Sequence, residues 1–127
     1  MQDERDEHLS RPDWLPPVGH VLCRADRIGD GEAEIFEFRR DWQRYEIFVL
    51  RHGEAFVAYH NACPHTGGPL DWMGRFLTRD KTLIRCAGHG AKFRIENGLC
   101  IKGPCAGTSL AAVSIGVVAG DIVLADG

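Results

Sequence analysis

From Gly19 onward the chain runs in short apolar stretches divided by glycine, aspartate and other turn residues. Residues 20–23, 33–38, 45–51 and 55–60 are rich in Val, Ile, Phe and Tyr, which pack well on a pleated surface. The breaks at Gly29-Asp30-Gly31, at Asp41 and at His52-Gly53 are the punctuation of antiparallel strands. Alternation is only partial: Glu34, Phe36 and Phe38 stand against Glu37 and Arg39, so the pattern does not assign each side chain to a face. Residues 110–118 and 122–124 read as a closing hairpin around Gly120-Asp121. No segment carries a helical stripe of useful length.

Two stretches depart from this texture. Residues 1–17 carry mixed charges and three prolines, Pro12, Pro16 and Pro17, and predict a flexible arm that the fold does not need. Residues 61–107 hold four of the cysteines, two of the histidines and glycines at 67, 68, 74, 88, 90, 98, 103 and 107. A loop-rich insert in a β scaffold is where function is usually carried.

At 127 residues the chain fits one domain with a core of its own, reading as the arm 1–17 followed by a domain over 18–127. A net charge of −3 argues against a nucleic-acid partner. No apolar run approaches the length of a membrane span, and the polar start is unlike a secretory signal, so the expected location is the cytoplasm. Five cysteines cannot all pair within one chain. In a reducing compartment, cysteines standing beside histidines read as metal ligands before disulfides.

The insert supplies that arrangement twice, as Cys63-Pro64-His65 and as Cys86-Ala87-Gly88-His89. Each segment offers one thiolate and one imidazole on a tight loop. Zinc sites of two cysteines and two histidines usually pair like with like across short gaps. Here each loop mixes the two, which suits a dinuclear iron cluster with both cysteines on one iron and both histidines on the other. Small residues at Gly67, Gly68, Gly88 and Gly90 would let backbone N–H groups approach inorganic sulfide.

The stretches Cys63-Pro64-His65-Thr66-Gly67-Gly68-Pro69-Leu70 and Cys86-Ala87-Gly88-His89-Gly90-Ala91-Lys92-Phe93 resemble the two cluster-binding loops of the Rieske family. Asn97-Gly98 and Gly103-Pro104 look like that family's turn and its proline-bearing loop over the cluster, and the resemblance covers roughly residues 20–125. It implies an all-β Rieske iron–sulfur domain: an antiparallel, sandwich-like base built from both ends of the chain, with the 61–107 insert as a smaller cluster-binding lobe. It implies one [2Fe–2S] cluster per chain, held by Cys63, His65, Cys86 and His89, with the histidine edges near the surface. No catalytic residue is expected, since the chain has no room for the mononuclear-iron domain of ring-hydroxylating oxygenases.

Departures from the family pattern are informative. High-potential Rieske proteins of bc complexes join an extra cysteine from each loop in a disulfide; the matching positions here are Gly68 and Gly88. Their serine and tyrosine, which hydrogen-bond cluster sulfur, correspond to Ala91 and Phe93. Hydrogen bonds to sulfur favour the reduced, more negative cluster, so their loss predicts a potential of roughly −150 mV rather than roughly +300 mV.

The expected function is a one-electron carrier between a reductase and a terminal oxidoreductase such as an oxygenase. Other readings stay open: the small subunit of a larger enzyme, as in some nitrite reductases, a redox sensor, or a zinc-stabilised interaction module. Cys100 and Cys105 flank the proline loop as free thiols, as a local disulfide or in a sensing role, outside the ligand set. Cys23 reads as core. His8, His20, His52 and His60 have no ligand spacing, and His60 reads as strand-end packing or a surface residue. Pro69, Leu70, Trp72, Met73 and Phe76 form an apolar group beside the first loop, read as packing on the domain before docking.

Overall fold

The computed structural model describes residues 12–64, 68–70, 76–86, 90–103 and 106–126. It contains nine strands: β1 (Val21–Arg24), β2 (Ala33–Arg40), β3 (Gln43–His52), β4 (Ala55–His60), β5 (Leu83–Arg85), β6 (Lys92–Arg94), β7 (Cys100–Lys102), β8 (Ile115–Val118) and β9 (Asp121–Leu124). They form three antiparallel sheets of three strands, ordered β1-β9-β8, β2-β3-β4 and β5-β6-β7. The first sheet joins the two ends of the chain, as the pattern predicts, and the third lies wholly inside the insert.

Turn chemistry fixes the hairpins. Val118 pairs with Asp121, so Ala119-Gly120 is a two-residue loop, and both residues have positive φ, 52° and 82°. That backbone matches the right-handed twist of the strands it joins. Asp41-Trp42 is a second two-residue loop, closing β2 onto β3 with positive φ at Asp41 alone, 56°, and Trp42 exposed at the tip. Residues 110–114, expected to belong to the last hairpin, lie outside its paired strands. Their one bridge is Tyr59 with Ala112, so the strand begins at Ile115.

The middle sheet separates two cores. Tyr45, Ile47 and Val49 of β3 pack with Cys23, Ala58, Val113, Ile122 and Leu124 on the side of the terminal sheet. Phe48 and Leu50 pack with Leu70, Phe76, Ile84 and Phe93 on the side of the insert. The residues from Ile47 to Leu50 are fully buried, because successive side chains enter opposite cores. A strand covered on both faces reads as a continuous apolar run. The partial alternation of β2 has the same origin: Ala33 and Ile35 pack against the core of the insert, Phe36 and Phe38 against the other.

Trp14 and Leu15 pack against the first of these cores, and the Gly19 N–H donates to the Leu124 carbonyl at 2.7 Å. Trp14 and Leu15, within the stretch expected to be an arm, thus lie against the domain. Residues 1–11, with His8, lie outside the described residues.

Candidate metal centre

β4 delivers the first loop. Its last residue donates its backbone N–H to the Ala111 carbonyl at 2.9 Å, and the next, Asn61, donates to the Glu46 carbonyl at 2.8 Å. Cys63 follows, and its N–H donates to the Gly68 carbonyl at 2.7 Å. β5 delivers the second loop, where the Cys86 N–H donates to the Ala91 carbonyl at 2.8 Å and the Gly90 N–H to the Cys86 carbonyl at 3.0 Å. Both cysteines thus close their loops with the same bond, to the carbonyl five residues on. A shared closure from two different spacings presents each thiol at the neck of its loop.

Cys63 and Cys86 are almost wholly buried, and they share one core with Ala91, Phe93 and Cys100. Burying two cysteines in one core at the necks of two glycine-rich loops suits a shared soft metal. His65 and His89 lie outside the described residues, as do Gly67, Gly88, Pro104 and Cys105. Among the described residues no three His, Cys, Asp or Glu side chains gather as a metal site, so Cys100 does not complete a set with the two loop cysteines.

A third loop leans on the second. After β7, Gly103 has φ 103°, and a Cβ placed on it would lie 2.8 Å from the Cα of Ala91. Only a hydrogen at that position allows this approach. Cys100, the first residue of β7, is buried, with its Sγ 3.3 Å from the Lys102 carbonyl oxygen.

Asn61 is a positioning residue that the sequence pattern does not single out. It is buried, its Oδ1 accepts the Leu70 N–H at 2.9 Å, and its Nδ2 donates to Glu46 Oε1 at 2.7 Å. With the Cys63–Gly68 bond this makes two rungs across the first loop. One signal was available: a lone amide between an apolar strand and a candidate ligand. Leu70 and Phe76 are buried as expected, while Pro69 is exposed and Trp72 and Met73 lie outside the described residues. Cys23 is core, and burial is the leading cause that raises its thiol pKa.

His60 ends β4 stacked on Tyr45, ring centroids 4.4 Å apart, with Nδ1 buried and lacking a hydrogen-bond partner among the described residues. Burial lowers its pKa from 6.5. The unfolded chain then binds a proton near pH 6.5 that the folded chain refuses. Stability from this residue is present above that pH and is lost as pH falls toward the folded value. Chemical denaturation of native protein should show decreasing stability below pH 6.5. His60→Phe, which keeps the stacked ring, should flatten that decline; equal slopes would show that His60 is not the titrating group.

Residues 19–118 match the family model for the Rieske [2Fe–2S] domain. The chain belongs to the Rieske [2Fe–2S] family. It is 34% identical over 77 residues to the ferredoxin component of the alkene monooxygenase system of Xanthobacter autotrophicus, covering 61% of this chain and 57% of that protein. It is 29% identical over 80 residues to the cytochrome b6-f complex iron–sulfur subunit of Chlorobaculum tepidum, covering 63% of this chain and 39% of that subunit. The matches therefore span less than two thirds of either relative. The structure resembles the ferredoxin of carbazole 1,9a-dioxygenase from Nocardioides aromaticivorans with a TM-score of 0.66 at 25% identity, covering 88% of this chain and all of that one. The Rieske cofactor is one [2Fe–2S] cluster, and two buried cysteines at paired loop necks fit its thiolate half.

Proposed function

We propose that this Rieske protein is a one-electron carrier that takes electrons from a reductase and passes them to a terminal oxygenase. The observation that carries this is the paired neck, Cys63 to Gly68 and Cys86 to Ala91, in a chain whose fold overlays the whole of a known ferredoxin. Cys63 and Cys86 hold one iron and His65 and His89 the other. The bound cluster supplies reversible uptake of a single electron. The chain's own residues then have three tasks. The loop hydrogen bonds fix the thiols, Asn61 braces the first loop, and Gly103 brings the third loop down on Ala91.

The same core sets the potential. Ala91 and Phe93 are fully buried in it and carry no hydroxyl. Among the described hydrophobic residues of this core the one hydroxyl is that of Tyr59, which donates to the Ile95 carbonyl at 2.6 Å, and burial pushes its pKa up to about 12. A potential toward the low end of the Rieske range follows, roughly −150 mV. Iron and sulfide analysis should give two of each per chain, and a redox titration should give a negative midpoint. A colourless zinc protein would end the carrier reading, and a clearly positive midpoint would end the argument from Ala91 and Phe93.

No helix among the described residues is long and apolar enough to cross a membrane. The free thiols of Cys23 and Cys63 fit a reducing compartment, which supports a place in the cytoplasm.

A further inference from the structure

The short sheet of the insert carries a row of like charges. Arg85 of β5 is paired with Lys92 of β6, and Lys92 is paired with Lys102 of β7. The last pairing needs an irregularity: one step on β6, Phe93 to Lys92, is matched by two on β7, Cys100 to Lys102. The extra residue, Ile101, is the bulge that sets Lys102 opposite Lys92, and bulges commonly re-aim a side chain beside a functional site. Like charges directly opposite one another weaken a sheet, so this arrangement costs stability in the free protein.

Arg79 extends the row, lining one groove with Arg85 and Lys92, and Lys81 stands beside it in the adjoining groove with Arg79. None of these five cations makes an ion pair among the described residues. The Arg79–Lys81 end of the row shares its groove with Glu32 and Glu34, of which Glu34 is paired with Arg27 and Glu32 accepts from the Gly29 N–H; the acid beside Arg79 and Lys92 is Asp80. Its carboxylate already accepts from the hydroxyls of Thr78 and Thr82, at 2.6 and 2.7 Å. The chain as a whole carries −3, so this positive face runs against the overall charge.

Its position matters most. Arg85 immediately precedes Cys86, Lys92 follows Ala91, whose carbonyl closes the second loop, and Lys102 precedes Gly103, which packs on Ala91. We propose that this cation row is the docking surface for an acidic face of a protein redox partner, steering it to the cluster end of the molecule. The proposal rests on the carrier reading. An acidic protein fits better than nucleic acid, because a chain of net −3 repels a polyanion everywhere except on this face, while a compact acidic face meets the row alone.

The test uses the holoprotein, its cluster first reduced by one electron with dithionite and freed of excess reagent. If the cluster does not take up that electron reversibly, the carrier reading fails and the surface is not at issue. With a working cluster, stopped-flow oxidation by ferricyanide moves one electron from the cluster to give ferrocyanide. Charge steering by the row predicts that this rate falls as salt rises, whereas the net charge of −3 alone predicts a rise. Lys92→Gln/Lys102→Gln should slow the reaction about tenfold at low salt, with midpoint and spectrum unchanged. Arg40→Gln/Arg44→Gln, on the β2–β3 hairpin, makes the same change in net charge and should leave most of the rate intact. Poly-L-glutamate, standing in for an acidic protein face, should inhibit the native protein and spare the Lys92/Lys102 variant. A rate that rises with salt, or equal loss in both double variants, overturns the docking surface. Tighter binding of a DNA duplex than of poly-L-glutamate overturns the choice of partner.

Discussion

Cys63→Ala and Cys86→Ala should each give a chain that retains almost no iron or sulfide and has lost its visible absorbance. Each thiol is buried at the neck of a loop whose closing bond is made by the same residue's N–H, so backbone and ligand are fixed together. Alanine keeps the backbone bond and removes only the sulfur. A dinuclear cluster left with one thiolate on its iron would have no replacement, since among the described residues no further Cys, His, Asp or Glu completes a site. Loss of the cluster should also lower thermal stability, because ligand binding free energy is linked to folding. Cys23→Ala provides the control. It lies in the other core and should cost about 1–2 kcal/mol of packing while keeping full cluster content. The histidine half is checked separately. His65→Cys or His89→Cys adds negative charge at the second iron, so the midpoint should fall or assembly should fail. An unchanged midpoint would show that the ligand assignment is wrong.

How far the sequence spoke depended on how each residue's environment is encoded. The long hairpin of β2, β3 and β4 was legible because apolar runs and turn residues agree there. Even so, the strand Gln43–His52 could not be assigned a face, since Tyr45, Ile47 and Val49 serve one core and Phe48 and Leu50 the other. The sheet of the insert was not legible. Its three strands have three residues each and are separated by loops, too short for any period to show. The stretch 110–114 misled for the opposite reason: it is apolar because Leu110 and Val113 fill two different cores, and its pairing is a single bridge, Tyr59 with Ala112, not the last hairpin. The loop cysteines were visible as local motifs. Asn61 offered one local signal, an amide between a strand and a candidate ligand, but its importance lies in contacts with Glu46 and Leu70, which become neighbours only in the fold. The cation row depends on the bulge at Ile101, which no local pattern announces.

Gly103→Ala should damage the cluster lobe more than any other single methyl group added to the third loop. At φ 103° an alanine is held in a backbone region it rarely adopts, which costs roughly 1–3 kcal/mol. Its Cβ would also lie 2.8 Å from Ala91 Cα and 3.2 Å from Ala91 N, and backbone cannot swing aside as a flexible side chain can. Overpacking of this kind adds about 1–3 kcal/mol. The strain does not stay local, because the Ala91 carbonyl accepts the Cys86 N–H and a displaced Ala91 loosens the second loop. Gly107 separates the two costs. It lies on the same loop at φ 93°, but nothing stands within 4 Å of a Cβ placed there. Gly107→Ala should therefore lose only the backbone part, with the cluster's spectrum and midpoint unchanged. Gly103→Ala should lose both, shift the midpoint and release iron faster on heating. Equal stability losses with identical cluster spectra in the two variants would mean that the close approach of Gly103 to Ala91 has no part in holding the second loop.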